Sequence, residues 1–268
     1  MPSYNWFIIN EYGFIFIPSL IFLTLNRSLK NNLSLKYLKL PSVLLVTLIG
    51  LLAIFLNLPV AFVSNTLYRN FIGGQVQQFY SLPYWEGLFA IGITPAICEE
   101  TAMRGVILSG YKNVDVKSAV MANAFFFGVF HMNPEQFFYT FVLGIILAYL
   151  VKITDSIFSS MIVHFLNNSV VFTLGYFTFN DKKSTTSSPR HFITSTITFL
   201  IISMLSLFVI IPLLKKLRKI NEDRLKDLVP TLNGNHLKTV TWPIYASVVA
   251  FATFMVFNQM IEKAHIFK

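Results

Sequence analysis

The chain has 268 residues, of which 54% are apolar and only 12% are charged, and its mean hydropathy is +0.62. A soluble domain carries about a quarter charged residues, so the composition excludes an ordinary soluble protein as well as a disordered chain. The single cysteine, Cys98, excludes a disulfide framework and a cysteine-based zinc finger. The net charge is +9, but the basic residues lie between apolar runs, which indicates loop charge in a membrane protein rather than a nucleic-acid partner.

The apolar runs predict an all-α fold, a polytopic membrane helical bundle of about eight transmembrane helices in a single integral membrane domain over residues 1–268. About 20 apolar residues cross a bilayer as a helix. The first run lacks a basic start and a small-residue cleavage site, so we expect an anchor and not a cleaved signal. The turn-forming residues Asn133, Pro134 and Glu135 predict a tight helical hairpin. The expected spans are 6–25, 42–63, 87–109, 117–133, 136–152, 156–177, 191–214 and 239–260.

Loop charge predicts how the bundle is oriented. Fourteen Lys and Arg residues fall on one side of the expected spans, in or beside the connections at 26–40, 109–117, 152 and 215–238, and six fall on the other side. The positively charged side should face the cytoplasm, which places both termini outside. We expect a multi-pass protein of the plasma membrane.

Two of the twelve acidic residues are expected deep inside a span, namely Glu99 and Glu100. An ionisable group there costs about 2.5–3.5 kcal/mol on insertion scales, so it needs a partner, water or a function. Arg104 follows Glu100 by one helical turn, which predicts an internal ion pair. Glu99 is rotated about 100° from Glu100, so we assign a structural role to Glu100 and a chemical role to Glu99. The alternative, in which all three only anchor the helix, stays open.

Two of the five histidines are expected inside spans. His131 lies in the fourth span, one turn after Phe127, which packs over the imidazole or walls off a cavity. His164 lies in the sixth span, one turn before Asn168, so both side chains share a face. The other three histidines are expected at span ends or in a loop, where a solvated role is the simpler interpretation: His191, His236 and His265.

These side chains form a set that can hydrolyse an amide bond. A carboxylate and an imidazole can deprotonate a water, and a second imidazole with an amide can stabilise the oxyanion. Two imidazoles and one carboxylate are also a legitimate catalytic zinc set, which here would be Glu99, His131 and His164. The H-E-x-x-H motif is absent. The sequence does not choose between a glutamate-activated and a zinc-activated water, so no cofactor is assigned.

Residues 86–171 resemble the CPBP intramembrane proteases, a group that includes the type II CAAX prenyl endopeptidases and the bacteriocin-processing and bacteriocin-immunity proteins. Three motifs carry the resemblance. E-E-x-x-x-R begins at Glu99, F-x-x-x-H runs from Phe127 to His131, and H-x-x-x-N runs from His164 to Asn168. The resemblance implies that Glu99 and His131 activate water and that His164 and Asn168 stabilise the oxyanion. It also implies that Glu100 and Arg104 hold the helix.

The leading hypothesis is therefore an intramembrane endopeptidase, with residues 86–171 as its catalytic core. Its expected substrate is a membrane-associated peptide or protein, either lipidated or bacteriocin-like. A non-catalytic bacteriocin-immunity or membrane scaffold protein on the same fold is the alternative. A proton-relay transporter is a third reading, which the absence of detectable inverted repeats disfavours.

Overall fold

A computed structural model describes residues 4–26, 33–67, 78–178, 189–226 and 244–254. Within these ranges the chain forms helices and turns and no strand, so the all-α prediction is confirmed. His236, His265, the side chain of His191 and parts of the expected cytoplasmic loops and of the last span lie outside the described residues.

The described helices follow the order of the predicted spans. They are α1 (Tyr4–Leu25), α2 (Leu40–Leu67), α3 (residues 84–108), α4 (Val116–Phe130), α5 (Pro134–Thr154), α6 (Ile157–Thr178), α7 (Pro189–Ile220), α8 (Glu222–Lys226) and α9 (Ile244–Phe254). Five described helices are long and apolar enough to cross a membrane: α1, α2, α5, α6 and the Phe192–Ile220 part of α7. The protein is thus an integral membrane helical bundle, whereas the expected count of about eight spans is not confirmed.

The predicted hairpin between α4 and α5 is confirmed. Asn133 has extended backbone angles (φ −144°, ψ 123°), as the residue before a proline prefers, and Pro134 occupies the first turn of α5. The Asn133 side chain caps α5 by accepting a hydrogen bond from the Glu135 amide at 2.9 Å. Met132 has a left-handed φ of 47° and Asn133 is extended, so the helix does not continue through these residues and α4 ends at Phe130. The helix thus ends before the expected span limit at residue 133, and His131, expected within the helical part of that span, is instead the C-cap residue of α4.

Three stretches of π-helix interrupt the helices that carry acidic residues. α1 contains Asn10–Phe16, and α3 contains Phe89–Ile93 and Thr101–Leu108 on either side of Thr94–Glu100. A π-helical turn shifts the backbone hydrogen bonds and recurs at functional sites. Asn123 of α4 is buried and donates a hydrogen bond to the carbonyl of Met103 at 2.7 Å, so a side chain of α4 binds the backbone of the second π segment.

The packing around α5 brings the motif helices together. Its buried face meets α2, α4 and α6. Gly144 permits a close approach of α4 and α5, because a Cβ at that position would lie 3.0 Å from the Cα of Ala124 and 3.2 Å from Cδ1 of Phe127. The position of Phe127 is therefore set partly by a small residue on the neighbouring helix.

Polar contacts join three connections at one end of the bundle. Asp155 ends α5 with left-handed backbone angles (φ 50°, ψ 43°) and binds Lys36 and Ser34. Arg224 donates a hydrogen bond to the carbonyl of Tyr37 at 2.9 Å. The connections before α2, after α5 and after α7 thus share one end, as the charge count predicts. That this end faces the cytoplasm stays a prediction.

Candidate active site

The adjacent glutamates of α3 contact different histidines. Oε2 of Glu99 lies 3.9 Å from Nε2 of His131, at the end of α4. Oε1 of Glu100 lies 2.9 Å from Nδ1 of His164, on α6. Successive residues of a helix point about 100° apart, so one short stretch of α3 can serve two partners on two helices.

Glu100 and its ion-pair partner Arg104 are fully buried inside the bundle. Nε of Arg104 lies 3.2 Å from Oε2 of Glu100, and neither side chain is exposed. The terminal nitrogens of Arg104 have no hydrogen-bond acceptor among the described residues, but its guanidinium carbon lies 4.6 Å from the centre of the Phe127 ring. Glu100 is therefore the nearest counter-charge of the cation, and an aromatic face adds to its stabilisation. This arrangement suits a structural role.

The ring of Phe127 contacts both imidazoles. Its centre is 5.0 Å from that of His131 and 5.6 Å from that of His164, and the rings are nearly perpendicular in both pairs (88° and 84°). Edge-to-face contacts of this kind restrict how an aromatic ring can rotate. Phe127 therefore helps to orient both histidines.

The hydrogen bond of His131 defines which of its nitrogens can act as a base. Nδ1 lies 2.8 Å from the carbonyl oxygen of Phe127, and a carbonyl only accepts, so we assign the hydrogen to Nδ1. In the neutral ring, Nε2 then turns a lone pair toward Glu99. Two acceptors 3.9 Å apart do not bond to each other, but one water can donate a hydrogen to each.

The Glu99–His131 pair is also the more accessible one. Its side chains are 10% and 17% exposed, against 0% for Glu100 and 3% for His164. A group that must meet both water and a substrate cannot be fully sealed. Of the two acid–imidazole pairs, Glu99–His131 is therefore the less deeply buried.

Asn168 joins α6 to the first π segment of α3. Its amide nitrogen donates to the carbonyl of Ile91 at 3.1 Å, and its oxygen accepts from the side chain of Asn167 at 3.1 Å. One N–H of the Asn168 amide is thus committed to the backbone, which fixes the direction of the other. Its assignment as an oxyanion donor stays a prediction.

The three residues considered as a zinc set do not form one group of ligands. Nδ1 of His164 is turned to Glu100, while Glu99 faces His131. In the part of the chain that the structure describes, no three His, Cys, Asp or Glu side chains are placed to hold a metal ion. As placed, the three residues do not fit a shared zinc site.

Sequence reasoning missed one acidic residue near this site. Glu11 was expected near a span end, but α1 begins at Tyr4, which places Glu11 seven residues, roughly 10 Å, inside the helix. Its side chain is only 6% exposed, and it interacts electrostatically with Glu99. Had the first span been predicted to begin at Tyr4 and not at residue 6, Glu11 would have been placed deeper inside the helix.

Taken together, the fold and these contacts define an integral membrane bundle with acid–imidazole pairs held between its helices. Residues 81–170, about a third of the chain, match the family described as type II CAAX prenyl endopeptidase Rce1-like. The resemblance inferred from the three motifs is confirmed, and all three motifs lie inside the matched segment. The chain therefore carries a segment of a protease family. No curated protein and no solved structure matches the chain.

Proposed function

We propose that this protein is an intramembrane endopeptidase that hydrolyses a peptide bond with a water held between Glu99 and His131. The observation that carries the proposal is the 3.9 Å separation of two acceptor atoms, one from each residue, at the more exposed of the two acid–imidazole pairs. The match of the surrounding segment to a protease family supports the same reaction.

In the proposed reaction, the water oxygen attacks the carbonyl carbon of the scissile bond while Glu99 accepts a proton from the water. His131 accepts the second hydrogen bond of the water and so aims its oxygen lone pair at the carbonyl carbon. The C–N bond then breaks, and the leaving nitrogen takes up the proton. The products are a carboxylic acid and an amine, and transfer of the acid proton to the amine gives a carboxylate and an ammonium group, so atoms and charge balance.

His164 and Asn168 are the proposed donors to the oxyanion. Because Nδ1 of His164 faces Glu100, its Nε2 can donate only when the ring carries both protons, a form that the Glu100 carboxylate can pair. Asn168 contributes the N–H that is not used by the carbonyl of Ile91. Two fixed donors of this kind stabilise developing charge without reorganising.

The proposed substrate is a peptide or protein attached to the membrane, and the named family points to a prenylated C-terminal cysteine motif. A prenyl chain can stay in the bilayer while the peptide reaches the bundle. A bacteriocin-like peptide without a lipid is the alternative substrate. We place the protein in the plasma membrane.

The proposal is tested with the full-length protein in lipid nanodiscs and two internally quenched peptides, one farnesylated on its C-terminal cysteine motif and one identical but unmodified. Wild type should cleave at least one peptide, and Glu99→Ala, His131→Ala and His164→Ala should not. Glu86→Ala, at an exposed acid of α3, is the matched control and should cleave normally.

Cleavage that survives in the Glu99 and His131 variants would refute the proposed chemistry. A cellular phenotype that survives in all three variants, with no cleavage by wild type, would instead support the non-catalytic immunity or scaffold role. Loss of wild-type cleavage in a chelator, restored by zinc, would favour a metal-activated water.

A further inference from the structure

We propose that Glu11 of α1 is a positioning residue for Glu99, so that the active site includes a carboxyl group from outside the Rce1-like segment. The inference rests on the proposed function, because it concerns how Glu99 is held for water activation. It adds a residue that none of the three motifs contains.

The first observation is the state of the Glu11 side chain. It is 6% exposed, and its Oε2 atom is buried without a hydrogen-bond partner among the described residues. A buried carboxyl group without a donor is costly, so its retention in an apolar helix needs a compensating interaction or a use.

The second observation is where the side chain lies. The π segment Asn10–Phe16 packs against Thr94–Glu100 of α3, and Glu11 interacts electrostatically with both Glu99 and Cys98 there. Oε2 of Glu99 is itself buried without a hydrogen-bond partner in the described part of the chain. His131 from α4 thus lies 3.9 Å from Glu99, and the segment of α1 that carries Glu11 packs against the segment of α3 that carries Glu99.

Packing on both sides of Glu11 fixes α1 in this position. Toward the start of the helix, the ring of Phe7 meets that of Phe79 edge to face at 5.2 Å. Toward its end, Leu23 is fully buried beside Gly105 of α3, where an added Cβ would lie 3.5 Å from it. The carboxyl group of Glu11 is thus presented to α3 by a helix that is anchored at two points.

Two carboxyl groups in an apolar interior are most stable when they share one proton and one negative charge. A hydrogen-bonded carboxylate has fewer orientations than a free one. Glu11 can therefore hold one oxygen of Glu99 and leave the other to receive the water proton. The groups that face Glu11 from α3 and take part in this balance are Glu99 and Cys98.

The kinetic test compares Glu11→Gln with wild type on whichever quenched peptide wild type cleaves. Gln keeps the size of the side chain but removes its charge, so kcat should fall about 10- to 100-fold with KM unchanged. The variant should also lose a larger share of its maximal rate at acidic pH, since the proton shared with Glu11 no longer stabilises the single negative charge of the pair. Glu86→Gln, the same change at an exposed acid, should match wild type in both respects.

A purely structural role predicts a different pattern. In that case Glu11→Gln would lower the active fraction equally at every pH, as expected for Phe7→Leu, which loosens the packing of α1 but keeps the carboxyl group of Glu11. A wild-type rate and pH profile for Glu11→Gln, beside an inactive Glu99→Gln, would overturn the inference and leave the proposed function standing. An inactive wild type would overturn both.

A second measurement tests the proximity of Glu11 to α3 without an activity assay. Cys98 is the only cysteine of the chain, so Glu11→Cys creates a single pair of thiols. Mild oxidation in native membranes should join them, whereas Phe14→Cys, on a side chain that is 67% exposed, should stay unlinked. Failure of the Glu11→Cys protein to form the link, or equal linking at position 14, would contradict the placement of Glu11.

Discussion

Glu99 and Glu100 are neighbours in the chain, yet removing their charges should affect the stability of the fold to very different extents. Glu100→Gln leaves Arg104 buried without its counter-charge, which typically costs 3–5 kcal/mol. Glu99→Gln removes a charge from a partly exposed pair and should leave the fold intact. Unfolding midpoints in detergent should therefore fall clearly for the first variant and little for the second.

Equal destabilisation by the two substitutions would contradict this division of roles. A Glu100→Gln protein as stable as wild type would show that Arg104 finds another partner. Activity adds nothing to this comparison, because both variants are expected to cleave poorly, one through loss of chemistry and one through loss of structure.

Phe127 offers a second test at the scale of one side chain. Phe127→Leu keeps an apolar group but removes the ring that meets two imidazoles and the Arg104 guanidinium. Contacts of these types contribute about 0.5–2 kcal/mol each, so kcat/KM should fall at least tenfold and stability should fall modestly. Phe158→Leu, at a side chain that is 40% exposed, is the control. Matching kcat/KM values for the two variants would refute the orienting role.

At the scale of helices, Gly144 sets the distance between α4 and α5. A Cβ at this position would lie 3.0 Å from the backbone of Ala124, so Gly144→Ala must push the two helices apart. Overpacking of this kind costs about 1–3 kcal/mol and here also displaces Phe127. Gly110→Ala, where an added Cβ meets nothing within 4 Å, should be neutral. Thermal unfolding of both variants measures these effects. A Gly144→Ala protein as stable as wild type would contradict the close packing of α4 and α5.

The start of α4 provides a prediction about pH. Backbone hydrogen bonding from Ser118, whose amide lies 3.0 Å from Oδ1 of Asp115, lowers the pKa of Asp115 below its ordinary value. A lowered pKa means that Asp115 contributes stability above its unfolded pKa of about 3.9, and that this contribution is lost as the pH falls through the folded value. An Asn at position 115 can still cap the helix but cannot ionise, so it serves as the comparison.

Wild type should therefore be more stable than Asp115→Asn near neutral pH, and the difference should shrink as the pH drops below about 3.9. Melting temperatures of the two proteins across this range provide the measurement. A difference that does not change with pH would show that the charge of Asp115 plays no part in the cap.

The sequence predicted helices better than it predicted their ends and irregularities. Asn133 and Pro134 were enough to predict the hairpin, because their turn preferences are local. The expected span ran to residue 133, whereas the helix ends at Phe130 and His131 is its C-cap. Hydropathy alone does not reveal this earlier helix end. The π segments have no composition signature, since they depend on tertiary contacts such as that between Asn123 and Met103.

At the scale of the whole molecule, the motifs predicted which helices form the site but not which side chains meet. That Glu99 pairs with His131 and Glu100 with His164 depends on how α3, α4 and α6 are rotated in the bundle. Glu11 was missed for the same reason, because its position within a span was judged from the chain and not from packing. Contacts between distant helices are set by the assembled fold.

The central claim is that Glu99 and His131 act together on one water, and a double-mutant comparison tests it most directly. The kcat/KM values of Glu99→Gln, His131→Asn and the double variant are measured in nanodiscs against wild type. Groups that act as a unit are not additive, so each single variant should lose roughly 10²- to 10⁴-fold and the double variant should lose little more. If the two losses multiply in the double variant, the residues act independently and the shared-water mechanism is contradicted.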